Sequence, residues 1–186
     1  QILNELYKES GITFINNDIR KVDLTSYTKI IGNLPYNITT ELIVHLLTFA
    51  KNCKQYVFMI QTEALNRFVD DSGKEYGPAS VLVHLLGRIK KQFIVKAGSF
   101  YPAPKCSSVV FDINIENKHT REEAVEVYQL AKKLFLNRRK TLLNNLGNIV
   151  GKEKAISVLK TMEIKETARP EEITPEQFVE INNLIK

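Results

Sequence analysis

The stretch Asn33-Leu34-Pro35-Tyr36 carries the residue types best suited to chemistry, and it directly follows an apolar run typical of a strand. The Asn33 side-chain oxygen and the Leu34 carbonyl are both acceptors, and Pro35 biases Leu34 away from helix, which holds that carbonyl outward. Two acceptors beside the Tyr36 ring could bind both N–H groups of an exocyclic amine while the ring stacks on a flat base. A plain strand-to-helix turn, with Pro35 as punctuation and Tyr36 in the core, explains the same four residues.

A basic segment forms the second candidate. Residues 118–165 carry 11 Lys/Arg against 5 Asp/Glu, in a chain of net charge +5. This favours a polyanionic partner, most simply nucleic acid, although a solvated basic surface gives the same count. Arg138, Arg139 and Lys140 are expected on one helix, where they could contact phosphates without reading sequence. The other face of that helix is expected to carry Leu134, Leu142 and Leu146.

Strands alternating with helices are expected to position the first candidate. The pattern predicts strands in GITFINND, TKIIGN, QYVFMIQ, KKQFIVKAG and SSVVFDINI. It predicts helices in TTELIVHLLTFA, at the start of TEALNRFVDDSGKEYG, and in PASVLVHLLGRI. This order indicates an α/β sandwich with a largely parallel sheet, whose ligand site lies at the carboxyl ends of the strands.

Beyond about Asn117 the pattern becomes helical throughout. The three helical segments are REEAVEVYQLAKKLFLNRRKTLLNNLGNIV, KEKAISVLKTM and TPEQFVEINNLI. Thr174 and Pro175 suit the N-cap and first position of the last helix. The sequence thus predicts two domains, residues 1–117 and a small all-α domain of residues 118–186.

Composition narrows the class of protein further. Cys53 and Cys106 lie far apart without metal-ligand spacing, which favours reduced thiols in a cytoplasmic protein. His45, His84 and His119 are scattered singles and are expected to be structural or surface residues. No apolar run is long enough to span a bilayer, and the first residues do not resemble a signal peptide. The simplest expectation is a cytoplasmic monomer.

Several motifs together resemble one known family. NLPYNIT, the loop FYPAPKCSS (residues 100–108), FLNRRKTLLNNL and ARPEEITPEQF occur in the order found in the small-subunit rRNA adenine N(6),N(6)-dimethyltransferases (KsgA type), which are related to the Erm methylases. The resemblance covers nearly the whole chain. It implies a Rossmann-like class I methyltransferase sheet followed by a small all-α domain. It also implies S-adenosylmethionine as methyl donor and immature small-subunit rRNA as partner.

The resemblance also implies site roles. Asn33, Leu34, Pro35 and Tyr36 would hold the target amine, with Phe100 stacking on the opposite face of an extruded adenine. The cofactor adenine would lie near Asp18, Ile19 and Asn33. Contacts to rRNA would come from Lys105, Arg138, Arg139 and Lys140. For Phe100 alone, a core aromatic that opens a hairpin is the plainer interpretation.

The chain departs from the family at its start. None of its eight glycines forms a Gly-x-Gly pair, and NNDIRK corresponds to the end of the family's third strand. The sheet is therefore expected to be incomplete at its N-terminal side, which leaves GITFINND without a partner unless the remaining strands re-pair. The 186-residue chain is expected to be inactive and to bind S-adenosylmethionine weakly or not at all. A non-catalytic RNA-binding assembly factor and a DNA adenine methyltransferase are the alternative functions.

Overall fold

One four-stranded sheet lies at the centre of the protein, for which a computed structural model describes residues 2–186. Its order is β1-β2-β4-β3, with β1 (Lys29–Asn33), β2 (Gln55–Gln61), β3 (Gly87–Val95) and β4 (Ser108–Ile115). β1 and β2 are parallel, whereas β4 is antiparallel to both β2 and β3. The prediction of a largely parallel sheet is therefore wrong. β4 returns from β3 through a loop without a helical crossover, and such a connection produces an antiparallel pair.

One face of the sheet is covered by helices and forms the main core. Tyr56, Phe58 and Ile60 alternate along β2 and are fully buried. The helices of this half are α1 (Ile2–Leu6), α2 (Thr39–Phe49), α3 (Asn66–Val69) and α4 (Pro78–Leu86). The apolar side chains of α2 and α4 pack on this face, as alternation along a strand and the 3.6-residue helix repeat require.

Helices alone follow β4, as the sequence predicts. They are α5 (Arg121–Leu134), α6 (Leu142–Val150), α7 (Lys152–Thr161) and α8 (Pro175–Ile185). Thr174 caps α8 in a reciprocal capping box with Gln177. The ring of Phe135 lies 5.8 Å from that of Tyr76 and 5.9 Å from that of Phe178. The helical part is thereby packed on the sheet part through a continuous hydrophobic core.

Arg121 ties the first helix of the second half to α2. Its guanidinium donates to the Leu47 carbonyl, to the Cys53 carbonyl at 3.1 Å and to the Tyr56 hydroxyl at 3.2 Å. Leu47 lies in the last turn of α2, where carbonyls have no partner within the helix. Arg121 therefore caps the end of α2 from a distant part of the chain.

The segment 11–18 forms no strand in the structure, so the prediction of a strand in GITFINND is wrong. Ile12 and Ile15 are 56% and 52% exposed. A strand needs a neighbour for its backbone N–H and C=O groups, and residues 2–186 provide none beyond β1. The remaining strands do not re-pair to compensate, and the outer edge of β1 stays open.

The sheet face opposite the core helices is also uncovered. We call it the open face, and it consists of Ile31, Val57, Met59, Phe93 and Val110. Ile31 is 81% and Phe93 59% exposed, and the other three are partly exposed. A groove of about 280 Å³ runs beside it, between the edge of β1 and residues 15–27.

Gly87 marks an abrupt change from helix to strand. The predicted helix PASVLVHLLGRI ends at Leu86, and β3 begins at the next residue without a loop. A Cβ at Gly87 would lie 2.0 Å from the Asn114 carbonyl oxygen of β4. Only glycine permits this close approach of the two strands, so the helix cannot continue.

Candidate functional site

Asn33-Leu34-Pro35-Tyr36 forms a fixed turn between β1 and α2. Leu34 N–H donates to the Met59 carbonyl at 3.1 Å, which extends the β1–β2 pairing by one residue. The Thr39 hydroxyl donates to the Pro35 carbonyl at 2.9 Å as α2 begins. Leu34 itself is only 7% exposed. The turn is thus anchored on the sheet, on the helix and in the core.

Gly32 allows Leu34 to reach its buried position. A Cβ at Gly32 would lie 2.8 Å from a Leu34 methyl carbon and 3.5 Å from the Phe58 ring. Because the packed core holds Leu34 in place, a larger residue at position 32 would push against the turn. Gly32 therefore leaves room for the buried side chain that anchors the turn.

Neither acceptor of the motif has an internal partner in the described part of the chain. Asn33 is exposed at the carboxyl end of β1. Among residues 2–186, no donor forms a hydrogen bond with its side chain or with the Leu34 carbonyl. Acceptors with no internal partner can bind the N–H groups of an incoming amine.

The aromatic ring of Tyr36 lies beside these acceptors and is 45% exposed. Its hydroxyl lies 3.5 Å from the hydroxyl of Ser108, the first residue of β4. The ring is therefore neither buried in the core nor free in solution. The interpretation of Tyr36 as a core residue is wrong, since nearly half of its surface remains accessible.

The loop that contains Phe100 reaches the same end of the sheet. Thr62 N–H and its hydroxyl both donate to the Ser107 carbonyl, at 3.1 and 3.0 Å. The Gln61 amide contacts the Cys106 sulfur at 3.2 Å. Since Ser108 contacts Tyr36, the structure brings this loop to the Asn33–Tyr36 turn. Phe100 is partly buried at the start of the loop.

Asp18 is linked to the same region through a chain of charges. Arg20 binds the Asp18 carboxylate at 2.7 Å and Glu41 of α2 at 3.1 Å. The hydrogen bonds from the Arg20 side chain and backbone lower the pKa of Asp18 to about 2. Asp18 is therefore an ionised acceptor, held toward the beginning of the helix that follows Tyr36.

These residues supply only part of a site for S-adenosylmethionine. Asp18 and Asn33 offer acceptors for an adenine amine, and Ile19 is 37% exposed along the β1 groove. The groove has an open strand edge as one wall, and the 186 residues contain no glycine-rich loop to approach a ligand with backbone N–H groups. The described residues do not by themselves fit the whole cofactor.

The predicted basic residues do not lie on a helix. Arg138, Arg139 and Lys140 occupy the turn between α5 and α6, so the prediction of one continuous helix is wrong. Thr141 caps α6 by accepting from Asn144 N–H, which starts a new helix at that point.

Two side chains of that basic turn make no hydrogen bond or ion pair within residues 2–186. Arg139 and Lys140 are exposed, whereas Arg138 donates to the Gly73 carbonyl at 3.0 Å and lies over the Phe135 ring. Arg138 therefore helps to join the two halves of the protein. Lys105 is exposed in the loop that follows Phe100.

Sequence reasoning missed three residues that support the site. Gly32 makes room for Leu34, Ser108 contacts Tyr36, and Arg20 joins Asp18 to α2. Arg20 lies two residues from Asp18 in a polar segment, which is a weak signal. Ser108 is 72 residues from Tyr36, so no local pattern could have linked the two.

Neither a metal site nor a membrane-spanning helix is found in the part of the chain that the structure covers. Residues 2–186 contain no group of three or more His, Cys, Asp or Glu side chains placed to hold a metal ion. Within the same residues, no helix has the length and apolar character that crossing a membrane requires.

The family model for ribosomal RNA adenine dimethylase matches residues 1–186. The ribosomal RNA small subunit methyltransferase A of Metamycoplasma arthritidis is 32% identical over 195 residues, which cover all of this chain and 75% of that protein. The protein of the same name from Syntrophus aciditrophicus is 34% identical and covers 98% of this chain and 71% of its own length.

Two solved structures share the fold. A dimethyladenosine transferase from Plasmodium falciparum has a TM-score of 0.79 at 20% identity, covering 96% of this chain and 75% of that one. The 23S rRNA methyltransferase ErmE has a TM-score of 0.69 at 17% identity, covering 99% and 76%. The predicted methyltransferase fold is confirmed.

Proposed function

Because the chain belongs to the ribosomal RNA adenine dimethylase family, we propose that it carries the methyl-acceptor site of an enzyme that dimethylates adenine amines in rRNA. The observation that carries this proposal is the pair of free acceptors, Asn33 and the Leu34 carbonyl, beside the exposed ring of Tyr36. The targets would be two adjacent adenosines near the 3′ end of small-subunit rRNA. The enzyme would act as a cytoplasmic monomer on immature small subunits.

The acceptors explain how the amine becomes reactive. Adenine delocalises the nitrogen lone pair into its ring, and methyl transfer needs that pair on the nitrogen. Hydrogen bonds from the two N–H groups to Asn33 and Leu34 favour a pyramidal nitrogen and stabilise the positive charge that develops there. S-adenosylmethionine supplies the electrophilic methyl group. Positioning and preorganised dipoles perform this chemistry without a strong base.

Stacking holds the base once it has left its helix. The exposed face of Tyr36 would bind one side of the adenine and Phe100 the other. Each base–aromatic contact contributes about 1–3 kcal/mol, which offsets much of the cost of unstacking. Both aromatic residues lie at the carboxyl end of the parallel strands, where α/β sheets bind ligands.

Residues 118–186 would form the RNA-binding domain of this enzyme. The exposed Arg139 and Lys140 in the α5–α6 turn are its best candidates for phosphate contacts, and Lys105 adds a contact beside the target base. Arg138 would contribute indirectly, because its hydrogen bond to Gly73 orients the turn.

Methyl incorporation into under-methylated small subunits tests the proposal. The assay uses the gene product as the cell makes it, with and without Asn33→Ala. Loss of one of two preorganised acceptors is expected to lower kcat by about 10²–10³-fold. Asn148→Ala is the matched control, since Asn148 is an exposed asparagine on α6 and is not part of the Asn33–Tyr36 turn. Equal rates for Asn33→Ala and the wild type would remove the role given to Asn33.

A further inference from the structure

Tyr101 is the most exposed large apolar side chain of the described residues, at 103% of its reference surface. Ile31 at 81% and Leu136 at 77% come next. Within residues 2–186, no hydrogen bond involves the Tyr101 hydroxyl and no aromatic ring packs on its own. The fold therefore leaves one complete aromatic surface in solvent, directly after Phe100.

The loop that presents Tyr101 is held at both ends. Phe100 N–H donates to the Ala97 carbonyl at 3.2 Å, and the Ser107 carbonyl is bound by Thr62. Pro102 and Pro104 restrict the backbone in between. An aromatic ring on an anchored loop loses little further backbone freedom when it binds, which is how preorganised binding residues gain affinity.

Two lysines accompany Tyr101. Lys96 directly follows Val95, which pairs with Ser108, so it lies at the start of the loop, and Lys105 lies near its end. Both are exposed, and neither has a carboxylate within 4 Å in the part of the chain covered by the structure. A ring on a loop that also carries two unpaired cations suits a base with its neighbouring phosphates.

We propose that Tyr101 stacks on the nucleobase next to the target adenosine, while Lys96 and Lys105 bind the phosphates on either side. This inference rests on the proposed function and adds a positioning residue to it. When the target base leaves the strand, its neighbour loses a stacking partner on one side. Tyr101 replaces that partner, so the RNA is held in the flipped state on both sides of the break.

The ring has no competing structural task. Single exposed apolar residues are common on protein surfaces and need no partner. Tyr101 differs because its loop is the one that reaches Tyr36 through Ser108, and because its cations have no internal partner. The proposal therefore predicts an effect on RNA binding and none on folding.

The test measures fluorescence anisotropy of a labelled RNA hairpin whose loop contains two adjacent adenosines, with the 186-residue chain as the binding protein. Tyr101→Ala is expected to raise Kd by about 5- to 100-fold, which corresponds to the loss of one stacked base. Tyr101→Phe keeps the ring and should bind within about twofold of the wild type. Tyr7→Ala, which removes a 47% exposed tyrosine from the N-terminal segment, should bind like the wild type.

A second RNA, abasic at the neighbouring position, separates stacking from a general effect on the loop. The wild type and Tyr101→Ala should bind this RNA equally, because no base remains to stack. If Tyr101→Ala weakens binding to the abasic RNA as much as to the intact one, the stacking role is wrong. Failure of Tyr101→Phe to restore binding would also overturn it.

The same series distinguishes this inference from the proposed function. If RNA that is abasic at the target adenosine binds as well as intact RNA while Tyr101→Ala still weakens binding, the adenine site fails and the stacking contact stands. If Asn33→Ala and target removal both weaken binding but Tyr101→Ala does not, only the stacking contact fails. Absence of any RNA binding by the wild-type chain would contradict both.

Discussion

At the scale of single residues, half of the acceptor pair is a main-chain atom that no substitution can remove. The Leu34 carbonyl is directed by the backbone, and the Leu34 side chain anchors that backbone in the core at 7% exposure. Pro35 restricts the backbone of the same turn, and Gly32 leaves room for the Leu34 side chain. A simple strand-to-helix turn and the proposed amine-binding site are therefore compatible, because the packing that makes the turn also fixes the backbone of Leu34.

The Asp18–Arg20 pair predicts a measurable titration. The pKa of Asp18 is lowered to about 2 by its hydrogen bonds with Arg20. Removing the guanidinium in Arg20→Ala should return it toward about 4, the ordinary value for aspartate. Carbon-13 NMR of the Asp18 carboxyl group follows the titration directly. A wild-type midpoint near pH 4 would contradict the ion pair.

The same pair predicts the sign of the pH effect on stability. A carboxylate whose pKa is lower in the folded chain than in the unfolded chain stabilises the fold above the unfolded value. The difference in unfolding free energy between wild type and Arg20→Ala should be constant above about pH 5 and shrink as pH falls below about 4. Denaturation at several pH values measures it.

At the scale of elements, local patterns predict those elements whose partners are near in sequence. Strand β2 follows directly from its continuous apolar run, and the start of α8 follows from its capping residue Thr174. Gly87 could not be predicted as a boundary, because the apolar spacing continues through it and its constraint comes from Asn114. The strand pattern at residues 11–18 is equally regular, but it has no neighbour to pair with.

Arg121 should be a strong determinant of stability. Arg121→Ala leaves the carbonyls of Leu47 and Cys53 without their donor and should lower the free energy of unfolding by about 2–4 kcal/mol. Arg88→Ala is the matched control, since Arg88 makes an exposed ion pair with Glu116 at 3.1 Å and should cost less than about 1 kcal/mol. Urea denaturation gives both values. Equal losses for the two variants would show that Arg121 does not cap α2.

The open edge of β1 predicts self-association of the isolated 186-residue chain at high concentration. Exposed edges with apolar side chains pair with other strands, and a lysine on the edge prevents this. Ile31→Lys should reduce light scattering and, at 81% exposure, change the unfolding free energy by less than about 0.5 kcal/mol.

A matched apolar residue controls for surface hydrophobicity. Phe49 is 54% exposed and lies on α2, which has no strand edge to pair, so Phe49→Lys should leave the association unchanged. If Phe49→Lys reduces the scattering as much as Ile31→Lys, association arises from general surface hydrophobicity and the β1 edge is not its cause.

At the scale of the whole molecule, residues 1–186 contain the proposed site for the target base but no glycine-rich loop for the methyl donor. They contain the turn proposed to receive the target base, the loop that contacts this turn through Ser108, and a basic helical half. They span about three quarters of the length of the relatives reported above. The order of motifs in the sequence predicts these parts, whereas the contacts that join the halves, such as Phe135 with Tyr76, come only from the fold.

This difference predicts that the chain binds RNA but not S-adenosylmethionine with measurable affinity. Isothermal titration calorimetry should show no micromolar binding of S-adenosylmethionine to the 186-residue chain, because it has no glycine-rich loop and the groove beside β1 has an open wall. RNA binding should persist in the same preparation, since its residues are all present. Micromolar cofactor affinity would contradict this prediction.

The cap that Arg121 places on α2 also sets an order of events during synthesis. Leu47 and Arg121 are 74 residues apart, so α2 leaves the ribosome long before the guanidinium that caps it. At about 5–20 residues per second, that interval lasts several seconds. During that time water satisfies the Leu47 carbonyl, whereas the neighbouring Leu46 carbonyl already has the Ala50 N–H and the Tyr56 hydroxyl as donors. The C-terminal end of α2 therefore gains its last hydrogen bond only after β4 has been made and α5 has begun.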